Sequence, residues 1–169
     1  MGEVTFQWED PQELAKELIK LDSDQRKEFF KEIKPPPMGV LMNNKEVQID
    51  EDGSVTFIAS PQEYHYNPLG SVHGGFAATM LDSCNSITAN CALNKGQLTM
   101  TAEVKVNYLR GISLDVGDMY AKGKIEKLGR KVIFVSGTLT DSEGKLYATA
   151  TSTETVSYTH LTLPTICSV

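Results

Sequence analysis

Apolar residues return at helical spacing over one long stretch of this chain and at alternate positions over much of the rest. Ala77, Met80, Leu81, Cys84, Ile87, Cys91 and Ala92 fall on one stripe at a period of about 3.6, which predicts a long helix from about Gly74 to Leu93. Downstream, Ala102, Val104, Val106 and Tyr108 alternate with Thr101, Glu103, Lys105 and Asn107, the pattern of a half-buried strand with one polar face. Segments 117–127, 131–140 and 145–156 continue as strands, separated by turn formers at 128–130 and 141–144. Upstream, Lys45 to Asp50 and Ser54 to Ser60 flank Glu51-Asp52-Gly53, a hairpin-type turn. Residues 10–33 read as one or two short helices, with Asp10 or Asp22 as cap and Leu14, Leu18 and Leu21 at helical spacing. Pro35, Pro36 and Pro37 end that segment as a stiff connector.

The order predicts an α+β fold in which an antiparallel sheet covers one central helix. Alternating βα units are missing, which excludes a doubly wound parallel sheet. The expected organisation is a helical lead and proline connector over 1–37, a core domain over 38–156, and a tail over 157–169. That tail has no periodicity matched to the sheet and is expected to be non-native or disordered, so His160 and Cys167 receive no role.

The chain's 169 residues suit one domain, and its net charge of −6 argues against a general nucleic-acid or anionic-membrane surface. No apolar run approaches the ~18 residues of a membrane span. The acidic N-terminus lacks the basic-then-apolar order of a secretory signal. Cys84 and Cys91 sit about 10 Å apart along the predicted helix, beyond the ~7 Å limit for bonded cysteines. A reduced, cytoplasmic protein is the expectation.

Candidate chemistry concentrates where a turn-rich loop runs through Asn67 and His73 into Gly74 and Gly75 at the start of the long helix. Glycines there allow close approach to free backbone N–H donors, which with the helix dipole favour a phosphate, a carboxylate or a developing oxyanion. Asp82 lies two turns further on, off the apolar stripe and beside Ala78, Asn85, Ser86 and Ala89. That flank is small and polar enough to leave room for a ligand or a partner subunit. A carboxylate so placed can attack a carbonyl or activate water, and a solvated mid-helix Asp would look the same. His65, His73 and Asp82 match no standard zinc spacing. Ser83 and Ser86 lack the strained setting of a serine nucleophile. In an otherwise acidic chain, Lys122, Lys124, Lys127, Arg130 and Lys131 straddle a predicted turn, either a solvated hairpin end or a dock for a phosphorylated ligand, with Arg110 on the same surface.

The run Asn67-Pro68-Leu69-Gly70-Ser71-Val72-His73-Gly74-Gly75, with Asp82 nine residues after the His, resembles the hotdog-fold acyl-CoA thioesterases, and within them the phenylacetic acid degradation thioesterase family. The resemblance extends through Thr101 to Leu109, Gly129-Arg130 and Asp141 to Ala150. It implies a thioester hydrolase that releases a free acid and coenzyme A and works as a homodimer or homotetramer with sites at subunit interfaces. Coenzyme A is then part of the substrate, and no metal or separate cofactor is implied. Carried over, Asp82 is nucleophile or general base and Gly74 N–H the oxyanion donor. His73 and Asn67 hold the thioester group and loop, and Thr101 faces the attacking water from a partner subunit. Gly75, Arg110, Lys127, Arg130 and Lys131 complete the substrate-binding set. Two rivals share the fold. One is a non-catalytic acyl-CoA sensor, which the acidic N-terminal helices disfavour. The other is a hydratase, which the His73–Asp82 interval fits less well.

Overall fold

The computed structural model describes residues 3–8 and 10–158. Helices α1 (Pro11–Leu18) and α2 (Ser23–Glu32) each start at the expected caps. Asp10 accepts from the Gln12 N–H, and Asp22 forms a reciprocal capping box with Gln25. The proline run is more than a connector. Pro36 caps and Pro37 opens a short helix α3 (Pro37–Leu41), because a proline at the first helical position lacks only an N–H that would have no partner there.

Six strands follow: β1 (Asn44–Ile49), β2 (Val55–Ala59), β3 (Gln97–Tyr108), β4 (Met119–Leu128), β5 (Val132–Asp141) and β6 (Leu146–Tyr158). They form one antiparallel sheet in the order β1-β2-β4-β5-β6-β3, curled around helix α4 (Gly74–Asn90). This is the α+β hotdog arrangement expected from the sequence. Met80, Leu81 and Cys84 of α4 are fully buried against Val55, Met119, Ala121 and Leu139 of the sheet.

Two glycines set how closely helix and sheet approach. Gly123 and Gly137 are register partners on β4 and β5. A Cβ at Gly123 would lie 2.4 Å from Thr88 Oγ1, and one at Gly137 would lie 2.7 Å from Asn85 Oδ1. Asn85 and Ala89 are therefore fully buried, not part of the open flank that the pattern beside Asp82 predicts. Half-buried Ala78, Asp82 and Ser86 are what remains of that flank.

α4 stops at Asn90, three residues short of the expected end. The buried Arg26 of α2 reaches its C-terminal end, donating to the carbonyls of Asn90, Asn94 and Gln97 as well as to Leu21. A cation there meets the negative end of the helix dipole and satisfies carbonyls the helix leaves open.

The alternation read along β3 is broken by a bulge between Thr101 and Glu103. The extra residue shifts the inward phase, so Thr99 and Thr101 face the helix before the bulge and Val106 packs on the core after it. As an edge strand β3 is otherwise largely exposed, in place of the half-buried strand expected. β6 runs to Tyr158, paired with Gln97, so the sheet takes in the first two residues of the expected tail; His160 and Cys167 lie outside the described residues. Among the described residues no helix is long and apolar enough to cross a membrane.

Candidate active site

The loop before α4 is braced internally. Asn67 Oδ1 accepts from the Leu69 N–H at 2.9 Å and the Ser71 N–H at 3.4 Å, while its Nδ2 donates to Ser71 Oγ at 3.0 Å. Asn67 thus holds the loop's shape. His73 caps the helix, its Nδ1 accepting from the Gly75 N–H at 2.8 Å, which places any proton of the neutral ring on Nε2. A Cβ on Gly75 would sit 2.9 Å from that same Nδ1.

Gly74 N–H meets no acceptor among the described residues and points from the positive end of a 17-residue helix. The Tyr108 ring stands beside Gly74, 3.2 Å from where a Cβ would be. A cavity of about 350 Å³ opens here, lined by Gly74, Tyr108, Arg110 and Tyr147. Arg110 also borders a more polar hollow with Asp141 and Lys145, and its Nε donates to the Leu146 carbonyl.

Asp82 Oδ1 accepts from the Thr101 hydroxyl at 2.9 Å, and among the described residues Oδ2 has no partner. The resemblance implies a Thr101 supplied by a partner subunit; here the chain's own Thr101 makes the contact, because the β3 bulge turns it onto α4. Ser86 Oγ lies 3.0 Å from Thr101 Oγ1.

Behind these two hydroxyls stands Glu154, fully buried on β6 between Thr101 of β3 and Ile133 of β5. Its Oε2 lies 3.3 Å from Ser86 Oγ and 3.2 Å from Thr101 Oγ1. Burial pushes its carboxyl above the ordinary glutamate range, and the Asp82 charge pushes the same way against the hydrogen bonds. The sequence reading missed Glu154. The available signal was its place in the inward register with Ala148, Ala150 and Ser152, where a carboxylate is out of place.

Other candidates belong to the framework. His65 accepts from the Gln62 N–H through Nδ1 and donates to the Leu41 carbonyl through Nε2, and burial lowers its pKa. The Cys84 and Cys91 thiols are free and buried, each pushed up to about 12 by burial. Lys122 pairs with Asp50 at 2.7 Å, away from the basic turn. Lys127, Arg130 and Lys131 are exposed at the β4–β5 turn beside the end of β6, whereas Arg110 lies beside its beginning. At about 3.3 Å per residue, the ten residues from Leu146 to Val156 put Arg110 and Lys131 about 33 Å apart, so one chain does not join them in the single basic surface expected.

Residues 69–148 match the family model described as Thioesterase superfamily. That segment is similar to thioesterase-superfamily domains. It holds Gly74, Asp82, Thr101 and Arg110, while Asn67 and Glu154 fall just outside the match. Acyl-coenzyme A thioesterase 13 of Mus musculus is 30% identical over 88 residues, which are 52% of this chain and 61% of the mouse protein. The Homo sapiens protein of the same name is 28% identical over 97 residues, 57% of this chain and 68% of its own length. Among solved structures, a phenylacetic acid degradation-related protein from Ralstonia eutropha JMP134 superposes with a TM-score of 0.66 at 28% identity, covering 73% of this chain and 92% of that one. A Streptococcus mutans UA159 protein bound to acetyl-CoA superposes with a TM-score of 0.63 at 25% identity, covering 76% and 96%.

Proposed function

We propose that the protein hydrolyses acyl-CoA thioesters to a carboxylic acid and free coenzyme A. The carrying observation is Asp82, fixed through Oδ1 by Thr101 with Oδ2 unengaged, on the helix whose first N–H is open at Gly74. The thioesterase-superfamily match and the acetyl-CoA seen in a structural relative support the substrate class.

Gly74 and Asp82 are separated by eight residues of helix. At 1.5 Å per residue that is about 12 Å, too far for both to meet one thioester carbon. The reading therefore places each site between two copies. Antiparallel pairing of β3 edges about a two-fold between Val104 and Lys105 sets Thr101 opposite Tyr108 of the partner subunit. Gly74 of the partner subunit, against that tyrosine, then faces Asp82.

In such a site the Gly74 N–H takes the carbonyl oxygen and stabilises the charge that develops on it. Asp82 acts through Oδ2, either taking a proton from the attacking water or attacking the carbonyl itself. The C–S bond breaks as the tetrahedral intermediate collapses, and the thiolate leaves as coenzyme A; where Asp82 has attacked, water then cleaves the mixed anhydride, releasing the acid and restoring the carboxylate. The coenzyme A arm lies towards the Gly74–Arg110 cavity. The acyl group enters the apolar cavity of about 300 Å³ that Phe30, Ile33, Phe57 and Ile87 line next to Ser83 and Ser86. The reaction calls on no metal or separate cofactor.

The test is release of free thiol from a panel of aromatic and aliphatic acyl-CoAs. Wild type turns over, and folded Asp82→Asn loses about 10²–10⁴-fold in kcat. Single turnover in ¹⁸O-water leaves label in Asp82 only if it is the nucleophile. Acyl-CoA binding by wild type without turnover would replace the hydrolase with a sensor.

A further inference from the structure

Glu154 presents a problem of hydrogen counting. It is fully buried, and among the described residues it makes no ion pair. Its neighbours offer three hydroxyl protons, those of Thr101, Ser86 and Ser152, and the Thr101 proton is directed at Asp82 Oδ1. An ionised Glu154 would be a buried charge beside that of Asp82 with serine hydroxyls alone to hold it, or would draw the Thr101 hydroxyl off Asp82. Either costs heavily in a dry site.

In one arrangement every hydroxyl of the cluster finds an acceptor. Glu154 carries a proton on Oε1 and donates it to Thr101 Oγ1 at 3.5 Å, Thr101 donates to Asp82, and Ser86 donates to Glu154 Oε2 at 3.3 Å, with a lone pair of the carboxyl left for Ser152. The chain then runs one way, from Glu154 through Thr101 to Asp82, and hydrogen bonds arranged in this sense reinforce one another.

We infer that Glu154 is a positioning residue of the proposed hydrolytic site, a neutral buried acid whose proton locks the Thr101 hydroxyl onto Asp82 and keeps that carboxylate correctly turned. Glu154 touches no substrate; it acts through Thr101. The inference rests on the thioesterase reading for its catalytic consequence, while the placement of the proton is independent of any substrate.

The groups facing Glu154 also define how pH enters. α4 presents Asp82 and Ser86, β3 presents Thr101, β5 presents Ile133 and β6 itself presents Ser152; among the described residues Asp82 is the one charged group acting on it. Raising the pH until Glu154 ionises puts a second negative charge behind Asp82 and reverses the Thr101 hydroxyl. Activity therefore falls on the alkaline side with an ionisation that belongs to Glu154.

Two substitutions and one spectrum test this. Glu154→Gln keeps a donor for Thr101 and an acceptor for Ser86; Glu154→Leu keeps neither and fills about the same space. Glu154→Leu is expected to lose at least about tenfold in kcat with KM little changed, as for a misoriented base. Glu154→Gln is expected to recover most of that loss and to lack the alkaline fall. The infrared spectrum of wild type at pH 7, without substrate, shows the carbonyl stretch of a protonated carboxyl, absent in Glu154→Gln and shifted in Thr101→Val. Absence of that band overturns the inference, whatever the activity. So does a Glu154→Leu enzyme that matches wild type, or a Glu154→Gln enzyme as impaired as Glu154→Leu. A wild type with the band but without turnover would remove the hydrolase reading, and the positioning role with it, leaving only the proton where the geometry puts it.

Discussion

Gly74 lets backbone chemistry be separated from side-chain chemistry at a single residue. Proline is tolerated at the first turn of a helix, so Gly74→Pro removes one N–H without breaking α4. Gly74→Ala keeps the N–H and adds only the Cβ that must displace the exposed Tyr108 ring. If that N–H holds the oxyanion, Gly74→Pro costs about 10²–10³-fold in kcat and Gly74→Ala far less. Equal losses in the two, measured by free-thiol release, would assign Gly74 to packing instead. The residue scale is also where legibility was most uneven. Gly74, His73 and Asp82 stand in one contiguous stretch, and their spacing along a helix is fixed by local geometry. Glu154 joins them from the far end of the chain through sheet pairing, and Ser152 beside it makes the inward face of β6 look polar beyond Ala150. Thr101 was legible by resemblance, but which chain's Asp82 it serves depends on a bulge that strict alternation cannot show.

The position of α4 as an element decides whether Asp82 reaches Thr101 at all. Gly123 and Gly137 let the helix lie where Thr88 and Asn85 occupy the space above the sheet, and Arg26 anchors its far end. Gly123→Ala places a methyl against a buried hydroxyl on a short side chain, so helix or strand must shift. A loss of about 1–3 kcal/mol is expected in urea unfolding, with a matching fall in activity as α4 moves away from β3. A variant as stable as wild type would show that the helix seat is looser than these contacts imply. The helix and the inner strands were legible from period, since each has a face committed to the core, whereas β3 was legible as a strand but not in its facing, because it is bulged and largely exposed. The short α3 was not, because a proline run signals the end of one helix more strongly than the start of the next. The end of α4 escaped for a similar reason: the carbonyl of its last residue, Asn90, is taken by Arg26, more than sixty positions earlier in the chain.

At the scale of the whole molecule, the helix that carries both halves of the chemistry also keeps them about 12 Å apart. On the proposed reading a single copy contains two half-sites, one built on Gly74 and one on Asp82, and two copies related by a two-fold would contain two complete sites. This geometry makes a prediction that no single-chain site can imitate. Asp82→Asn and Gly74→Pro are each nearly inactive alone. In a mixed dimer, both lesions fall in one site, and the other pairs the intact Asp82 of one subunit with the intact Gly74 of the other. Co-expression at equal levels with random assortment makes half the dimers mixed, each with one of its two sites restored, so activity returns to about a quarter of wild type. Mixing the purified variants restores the same level only as fast as subunits exchange. Were Asp82 to work with the Gly74 of its own chain, every site in the mixed population would carry one lesion, and no activity above the two parents would appear. The exposed β3 edge is the surface through which this complementation runs. A charge placed there at Val104, on the proposed two-fold, is accordingly expected to abolish the restored activity along with the dimer.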